Sequence, residues 1–296
     1  MPHATDPDYP VSIYIMQMMN KTVGWITLLL LLTVCSPLTG LANDSATTTA
    51  EKASPTVLIT GSNRGIGLEF VRQYAMRGWQ VIATARRPAS ADELQTLAET
   101  HPNVIVEQLD VTDLAGVDAL AKDYLGQPVD VLINNAAISG SPSTNQQFGK
   151  VDYEYFDAFM ATNVRGPLKV AEAFLPHLKE SEQKKIVVIS SIGGSFSSGG
   201  RESRGTMLYR SSKAALNMLM LNVAQRAKRY DVSVTLLNPG LVDTQGVLTD
   251  MNRKMQLGLT LVPVADSVAG MIQVVDAATL DTSGRFYQWT GEELGY

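Results

Sequence analysis

Tyr209 and Lys213 stand four residues apart at the start of a stretch whose apolar positions, Ala214, Leu216, Leu219, Leu221 and Val223, follow helical spacing. Residues i and i+4 share one helix face. A free tyrosine, with a pKa of about 10, exchanges protons poorly near neutrality. An ammonium one turn away favours the phenolate and lowers that pKa, which suits the pair to proton exchange with a carbonyl oxygen. Such pairs also occur on helices where they only pack. A second constellation is Thr60-Gly61-Ser62-Asn63-Arg64-Gly65-Ile66-Gly67. Gly61 permits a tight turn, Gly65 admits a phosphate close to backbone, and Gly67 lets the following helix pack on the preceding strand. The free N–H groups of that helix then face an anion. Read alone, the same three glycines also describe an ordinary tight loop.

The elements that must hold these residues alternate along the chain. Short apolar runs at Thr56–Thr60, Gln80–Thr84, Asn103–Glu107, Val129–Ile133, Lys185–Ile189 and Val232–Leu237 are apolar on both faces, as parallel strands covered by helices must be. Arg285–Trp289 adds a further run, and helical spacing fills the intervals. The expectation is an α/β fold: a doubly wound, Rossmann-type parallel sheet of about seven strands, helices on both faces, a single domain, and a ligand crevice at the strand C-terminal ends.

Composition narrows the chemistry. The 296 residues are 45% hydrophobic and 18% charged, with a net charge of -5, so a sizeable core is affordable and no basic surface for nucleic acid is indicated. One cysteine, Cys35, excludes an intramolecular disulfide and a multi-cysteine metal site; the three histidines, His3, His101 and His177, are scattered, so no metal is expected. Residues 23–42 carry no charge; Lys21 precedes an apolar core, and small residues ending Gly40-Leu41-Ala42 follow it. Residues 19–42 read as a signal peptide or a retained membrane anchor, with a buried hydrophobic segment as the remaining alternative. Residues 1–18 read as an over-long extension ahead of starts at Met16, Met18 or Met19, 43–55 as a flexible linker, and 56–296 as the folded domain. The expected location is the periplasm or cell envelope, by export or anchoring, and the cytoplasm if that segment is misassigned.

Thr60-Gly61 through Gly67, Tyr209-Arg-Ser-Ser-Lys213, Asn134-Asn135-Ala136-Ala137 and Pro239-Gly240-Leu-Val242-Asp-Thr244 together resemble the short-chain dehydrogenase/reductase family, whose patterns are TGxxxGxG, YxxxK, NNAG and PGxVxT. The resemblance spans about residues 55–290. It departs at Ala137, where the family writes glycine, and in the Gly193–Arg204 insertion, which lengthens the interval from Ser191 to Tyr209. That insertion and the ending Gly291–Tyr296 look most like the sniffer-type carbonyl reductases and C-factor relatives. The resemblance implies Tyr209 as proton donor and Lys213 as its partner and a ligand of the nicotinamide ribose. It implies Ser191 as the hydroxyl that polarises a carbonyl, with Ser195 in competition, and Asn163 as holder of a water on a proton relay. Asp110, Val111, Asn134 and Ala136 fall on the cofactor side, although Asp110 also reads as a helix N-cap and Asn134 as structural. Pro239, Gly240, Val242 and Thr244 would hold the nicotinamide carboxamide.

The second strand ends Ala85-Arg86-Arg87, with no acid to take a ribose hydroxyl, and Arg64 adds charge near the same pocket. Arginine makes bidentate bonds to phosphate, so the expected cofactor is NADP(H); three solvated surface arginines are the alternative. The function implied is reduction of a ketone or aldehyde, or the reverse oxidation, on a small-molecule carbonyl or alcohol. A surface signalling protein of the C-factor type, keeping the fold and the cofactor pocket, is the competing expectation. Segments 139–150, 193–207 and 245–261 are expected to meet substrate; a membrane tether through residues 23–42 and a homo-oligomer stay open.

Overall fold

A computed structural model describes residues 54–140, 144–197, 206–244, 246–256 and 258–296. The leader, its start and most of the linker lie outside these residues, as does much of the 193–204 insertion. Among the described residues no helix is long and apolar enough to cross a membrane.

Strands β1 (Thr56–Ile59), β2 (Gln80–Ala85), β3 (Val104–Gln108), β4 (Val131–Asn134), β5 (Lys185–Ile189), β6 (Ser233–Asn238), β7 (Phe286–Gln288) and β8 (Glu293–Leu294) form one sheet in the order β3-β2-β1-β4-β5-β6-β7-β8. All neighbours run parallel except β7 and β8. Both faces are covered, and the two-residue period of a strand decides which residue goes where. Val57, Ile59, Val131, Ile133, Val187 and Ile189 pack on one side, against helices α1 (Gly65–Met76), α2 (Asp92–Thr100) and, from the C-terminal part of the chain, Val264–Ala277. Leu58, Leu132, Ile186 and Val188 pack on the other, against α3 (Leu114–Asp123) and the helices from residue 166 to 227. Each such side chain taken from water stabilises the fold by roughly 1.5–3 kcal/mol before entropy is charged against it. The sheet has eight strands rather than about seven, because β8, two residues long, turns back on β7; so short an element carries no readable periodicity.

The order reverses between β1 and β4, with β2 and β3 to one side and β5 to β8 to the other. In a doubly wound sheet such a reversal marks where a ligand crevice forms, at the strand C-terminal ends. A continuous helical path then crosses one face: α4 (Phe156–Met160), a π turn (Ala161–Arg165) and α5 (Gly166–Ala173), followed by α6 (Leu175–Glu180). A π turn adds one residue to the helical repeat and re-aims the side chains within it. Its central residue is Asn163. Helix α7 (Met207–Ala227) packs on the same face, and α8 (Val247–Met255) and α9 (Val264–Ala277) complete the chain.

Candidate active site

The glycine turn is pinned between two strand ends. The Thr60 N–H donates to the Ile133 carbonyl at 3.0 Å and the Ser62 N–H to the Thr84 carbonyl at 2.8 Å, while the Ser62 hydroxyl returns to the Ile59 carbonyl at 2.9 Å. Gly61 and Gly65 both have positive φ, +70° and +58°; a Cβ at Gly61 would lie 2.8 Å from the Ala136 Cα, and one at Gly65 would lie 2.8 Å from the Thr244 side chain. At Gly67 a Cβ would overlap the Gly61 carbonyl. Asn63 and Arg64 are exposed and Ile66 packs on the core beneath α1. No side chain caps α1 and its first turn holds no acid, so its N-terminal amides are available to an anion.

Two residues that the motif reading passed over brace this cradle. The Asn135 amide donates to the Thr60 carbonyl at 2.9 Å and the Gly61 carbonyl at 3.0 Å. The Thr60 hydroxyl accepts from the N–H groups of Asn135 and Ala136 at 3.0 and 3.1 Å. The doubled asparagine and the threonine ahead of the first glycine were the available signal. Asn134 donates to the Pro167 carbonyl at 3.3 Å, tying β4 to α5, and among the described residues its buried Oδ1 has no partner. Ala137 is exposed, so the family glycine is replaced where a methyl group meets little.

Asp110 is not a helix cap. Its carboxylate accepts from the Thr112 N–H at 2.9 Å and hydroxyl at 2.7 Å, shaping the turn after β3, and α3 is capped instead by Asp113, which accepts from Gly116 at 3.1 Å. Val111 is buried beside it. Arg64, Arg86 and Arg87 are exposed, and among the described residues none of their side chains makes a hydrogen bond or ion pair. Opposite them, Ser267 holds the Pro239 carbonyl at 2.7 Å, Gly240 turns against Trp289, and Val242 bridges to Val262. This brings Thr244 over Gly65 as the second wall of the crevice.

Tyr209 and Lys213 lie in the first two turns of α7, with the Lys213 ammonium 5.8 Å from the centre of the Tyr209 ring. The Ser191 hydroxyl lies beside the Tyr209 phenol, close enough to favour its ionised form. Burial raises the phenol pKa and the Ser191 hydroxyl opposes that rise. Burial also lowers Lys213, to about 8. The Lys213 ammonium also donates to the Ile189 carbonyl at 2.8 Å. Ser191 comes within reach because Gly194 lets the post-β5 loop press on α7; a Cβ there would lie 2.6 Å from the Lys213 carbonyl carbon.

The serines take distinct partners. Ser190 binds Asn217 inside the core, and Ser195 donates to the Gly295 carbonyl at 2.6 Å, which turns it toward the chain's last residues. Asn163 is fully buried. Both donors of its amide are engaged, with the Ile138 carbonyl at 2.8 Å and the Ser212 hydroxyl at 2.9 Å, and its Oδ1 accepts from the Ile138 N–H at 2.8 Å. The side chain therefore has no N–H left to hold a water.

Comparison with known proteins gives this arrangement a lineage. Residues 55–255 match the sequence model for short chain dehydrogenases. The structure superposes with a TM-score of 0.72 on an NADPH-bound carbonyl reductase from chicken fatty liver, 34% identical, covering 82% of this chain and 99% of that one. It also matches the carbonyl reductase Sniffer of D. melanogaster, with a TM-score of 0.71, 28% identity, and coverage of 82% and 100%. The C-signal protein of Myxococcus xanthus is 34% identical over 176 residues, 60% of this chain and 98% of that protein.

Proposed function

Because the chain belongs to the short chain dehydrogenase family, a family of oxidoreductases, we propose that it is an NADPH-dependent reductase of ketones or aldehydes. The observation that carries the reading is the grouping of Ser191 and Lys213 around the Tyr209 side chain, beside a glycine cradle that any Cβ would fill. Bound NADPH supplies a hydride to a carbonyl carbon. The cradle fits such a dinucleotide: Gly61 to Gly67 and the uncapped start of α1 receive the pyrophosphate. Arg64 and Arg86, without protein partners among the described residues, favour a 2′-phosphate, with Asp110, Val111 and Asn134 around the adenosine side. Pro239, Gly240, Val242 and Thr244 face the nicotinamide.

Ser191 donates to the substrate oxygen and Tyr209 gives it the proton, so charge developing on that oxygen meets two donors. Lys213, buried and held at the end of β5, supplies positive charge behind the phenol and reaches the nicotinamide ribose. Asn163 acts through structure, fixing the post-β4 loop against α7, and any relay water is held by its backbone. The chicken and fly neighbours are carbonyl reductases, which supports the substrate class.

The identity with C-signal favours one other reading, a signalling protein that keeps the cofactor pocket. A panel of aldehydes and ketones, followed at the NADPH absorbance with the purified chain, separates the two. Turnover supports the reductase; NADPH binding without turnover of any member supports the signalling reading.

A further inference from the structure

Helix α7 begins without a cap of its own. Its N-cap residue, Thr206, makes no side-chain bond to the first turn, although the first amides of every helix need acceptors. Gln146, in the loop after β4, supplies them from outside. Its Oε1 accepts from the Tyr209 N–H at 2.9 Å, and its backbone carbonyl accepts from the Met207 N–H at 3.4 Å. Its Nε2 donates to the Ser139 carbonyl at 2.9 Å, and the side chain is buried, in a slot that Gly140 leaves open. Ser139 follows Ile138, which Asn163 holds through both backbone groups. Asn163 also donates to Ser212, and Ser212 donates to the Tyr209 carbonyl at 2.7 Å. The hydrogen bonds close a ring: Tyr209 N–H, Gln146, Ser139–Ile138, Asn163, Ser212, Tyr209 C=O.

We propose that Gln146 is a positioning residue for Tyr209, capping the catalytic helix from another segment and locking the Tyr209 backbone into this ring. The proposal rests on the reading of Tyr209 as proton donor. The physical argument is one of reach. The Tyr209 phenol must lie within hydrogen-bond distance of both Ser191 and a substrate oxygen. It hangs from the first turn of a helix, where backbone frays most readily when its amides lack acceptors. The Tyr209 N–H and C=O are held from opposite sides by Gln146 and Ser212, so the ring's origin is fixed without any contact to the ring itself. A displacement of about 1 Å at a reacting group can cost on the order of a hundredfold in rate.

The test compares Gln146→Met, which keeps the length and loses both bonds, with Gln146→Glu, which keeps an acceptor and, when its buried carboxyl holds a proton, the donor. The full chain is assayed with NADPH and 4-nitrobenzaldehyde, and amide exchange is followed at residues 207–211. Gln146→Met should lower kcat about tenfold or more while the NADPH Kd stays within about twofold. Its Tyr209 amide should exchange faster, and Gln146→Glu should restore most of both. Wild-type kcat in Gln146→Met, unchanged exchange at Tyr209, or a Glu variant no better than the Met variant overturns the proposal. If Gln146→Met does not fold, Gln146→Asn, one methylene short of Tyr209, takes its place in the same comparison. If Tyr209→Phe keeps the wild-type rate, the reaction reading has failed; the exchange data then decide by themselves whether Gln146 holds Tyr209.

Discussion

Tyr209, Ser191 and Lys213 divide one task by environment. Tyr209 keeps its proton, because burial raises its pKa, while the neighbouring Ser191 hydroxyl opposes that rise. Tyr209→Phe retains the ring and its packing but removes the proton donor. The expected result is a loss of about 10²–10⁴-fold or more in single-turnover reduction, with the NADPH dissociation constant unchanged. Ser191→Ala should slow the same step, and Ser195→Ala should do less, since its hydroxyl is committed to the Gly295 carbonyl. Near-wild-type reduction by Tyr209→Phe would sink the mechanism. Lys213 offers a separate test in stability. Its pKa falls from 10.5 to about 8 on burial, so between those values the unfolded chain binds more protons than the folded one. Stability of the cofactor-free protein should therefore gain from Lys213 deprotonation as pH rises through that window. Lys213→Met lacks this gain. The thermal midpoint of the variant, minus that of the wild type, should fall from pH 8 to pH 10.5, and a pH-independent difference would mean that the buried ammonium carries no penalty.

At the scale of elements, strand ends do the chemistry. β5 ends one residue before Ser190 and carries the carbonyl that holds Lys213; β4 ends just before Asn135, which braces the glycine turn; β6 leads to Pro239 and Thr244. β2 ends at Ala85, beside the turn through the Ser62–Thr84 bond, so Arg86 leaves the sheet at the edge of the cradle. Arg86→Asp removes a phosphate partner and supplies an acceptor for a ribose hydroxyl at the same strand end. The ratio of NADPH to NADH affinity should fall, and equal ratios for variant and wild type would remove Arg86 from the site. The π turn in the α4–α5 path works similarly: it is the irregularity that aims Asn163 at Ile138 and Ser212.

In the whole molecule, the strand order places every one of these ends along a single edge of the sheet, with the crevice at the β1–β4 reversal. The glycine turn and the Ser191–Tyr209–Lys213 group thus lie along the same edge, as the proposed reduction requires. Outside the described residues, the uncharged stretch 23–42 leads us to propose export of this domain. Residues 19–60 fused to a reporter active only beyond the cytoplasmic membrane should give reporter activity. An inactive reporter together with an uncleaved N-terminus in the cytosol would refute export, and with it the localisation argument for a signalling role.

Much of this was written locally. Seven of the eight strands were legible as short runs, most plainly the central ones, because a strand buried on both faces needs only adjacent residues to be apolar. The glycine turn and the Tyr209–Lys213 spacing were equally plain, being contiguous and set by local backbone geometry. β8 was too short to show a period, and the π turn has no sequence signature that distinguishes it from α-helix. The choice between Ser191 and Ser195 came from partners distant in sequence: Tyr209 for one, Gly295 for the other. So did the roles of Asn135 and Gln146, each defined by what the chain brings beside it. Spacing along a helix or strand is a property of neighbours in sequence and can be read there. A hydrogen bond between residues dozens of positions apart depends on how the elements pack, and only the tertiary structure decided it.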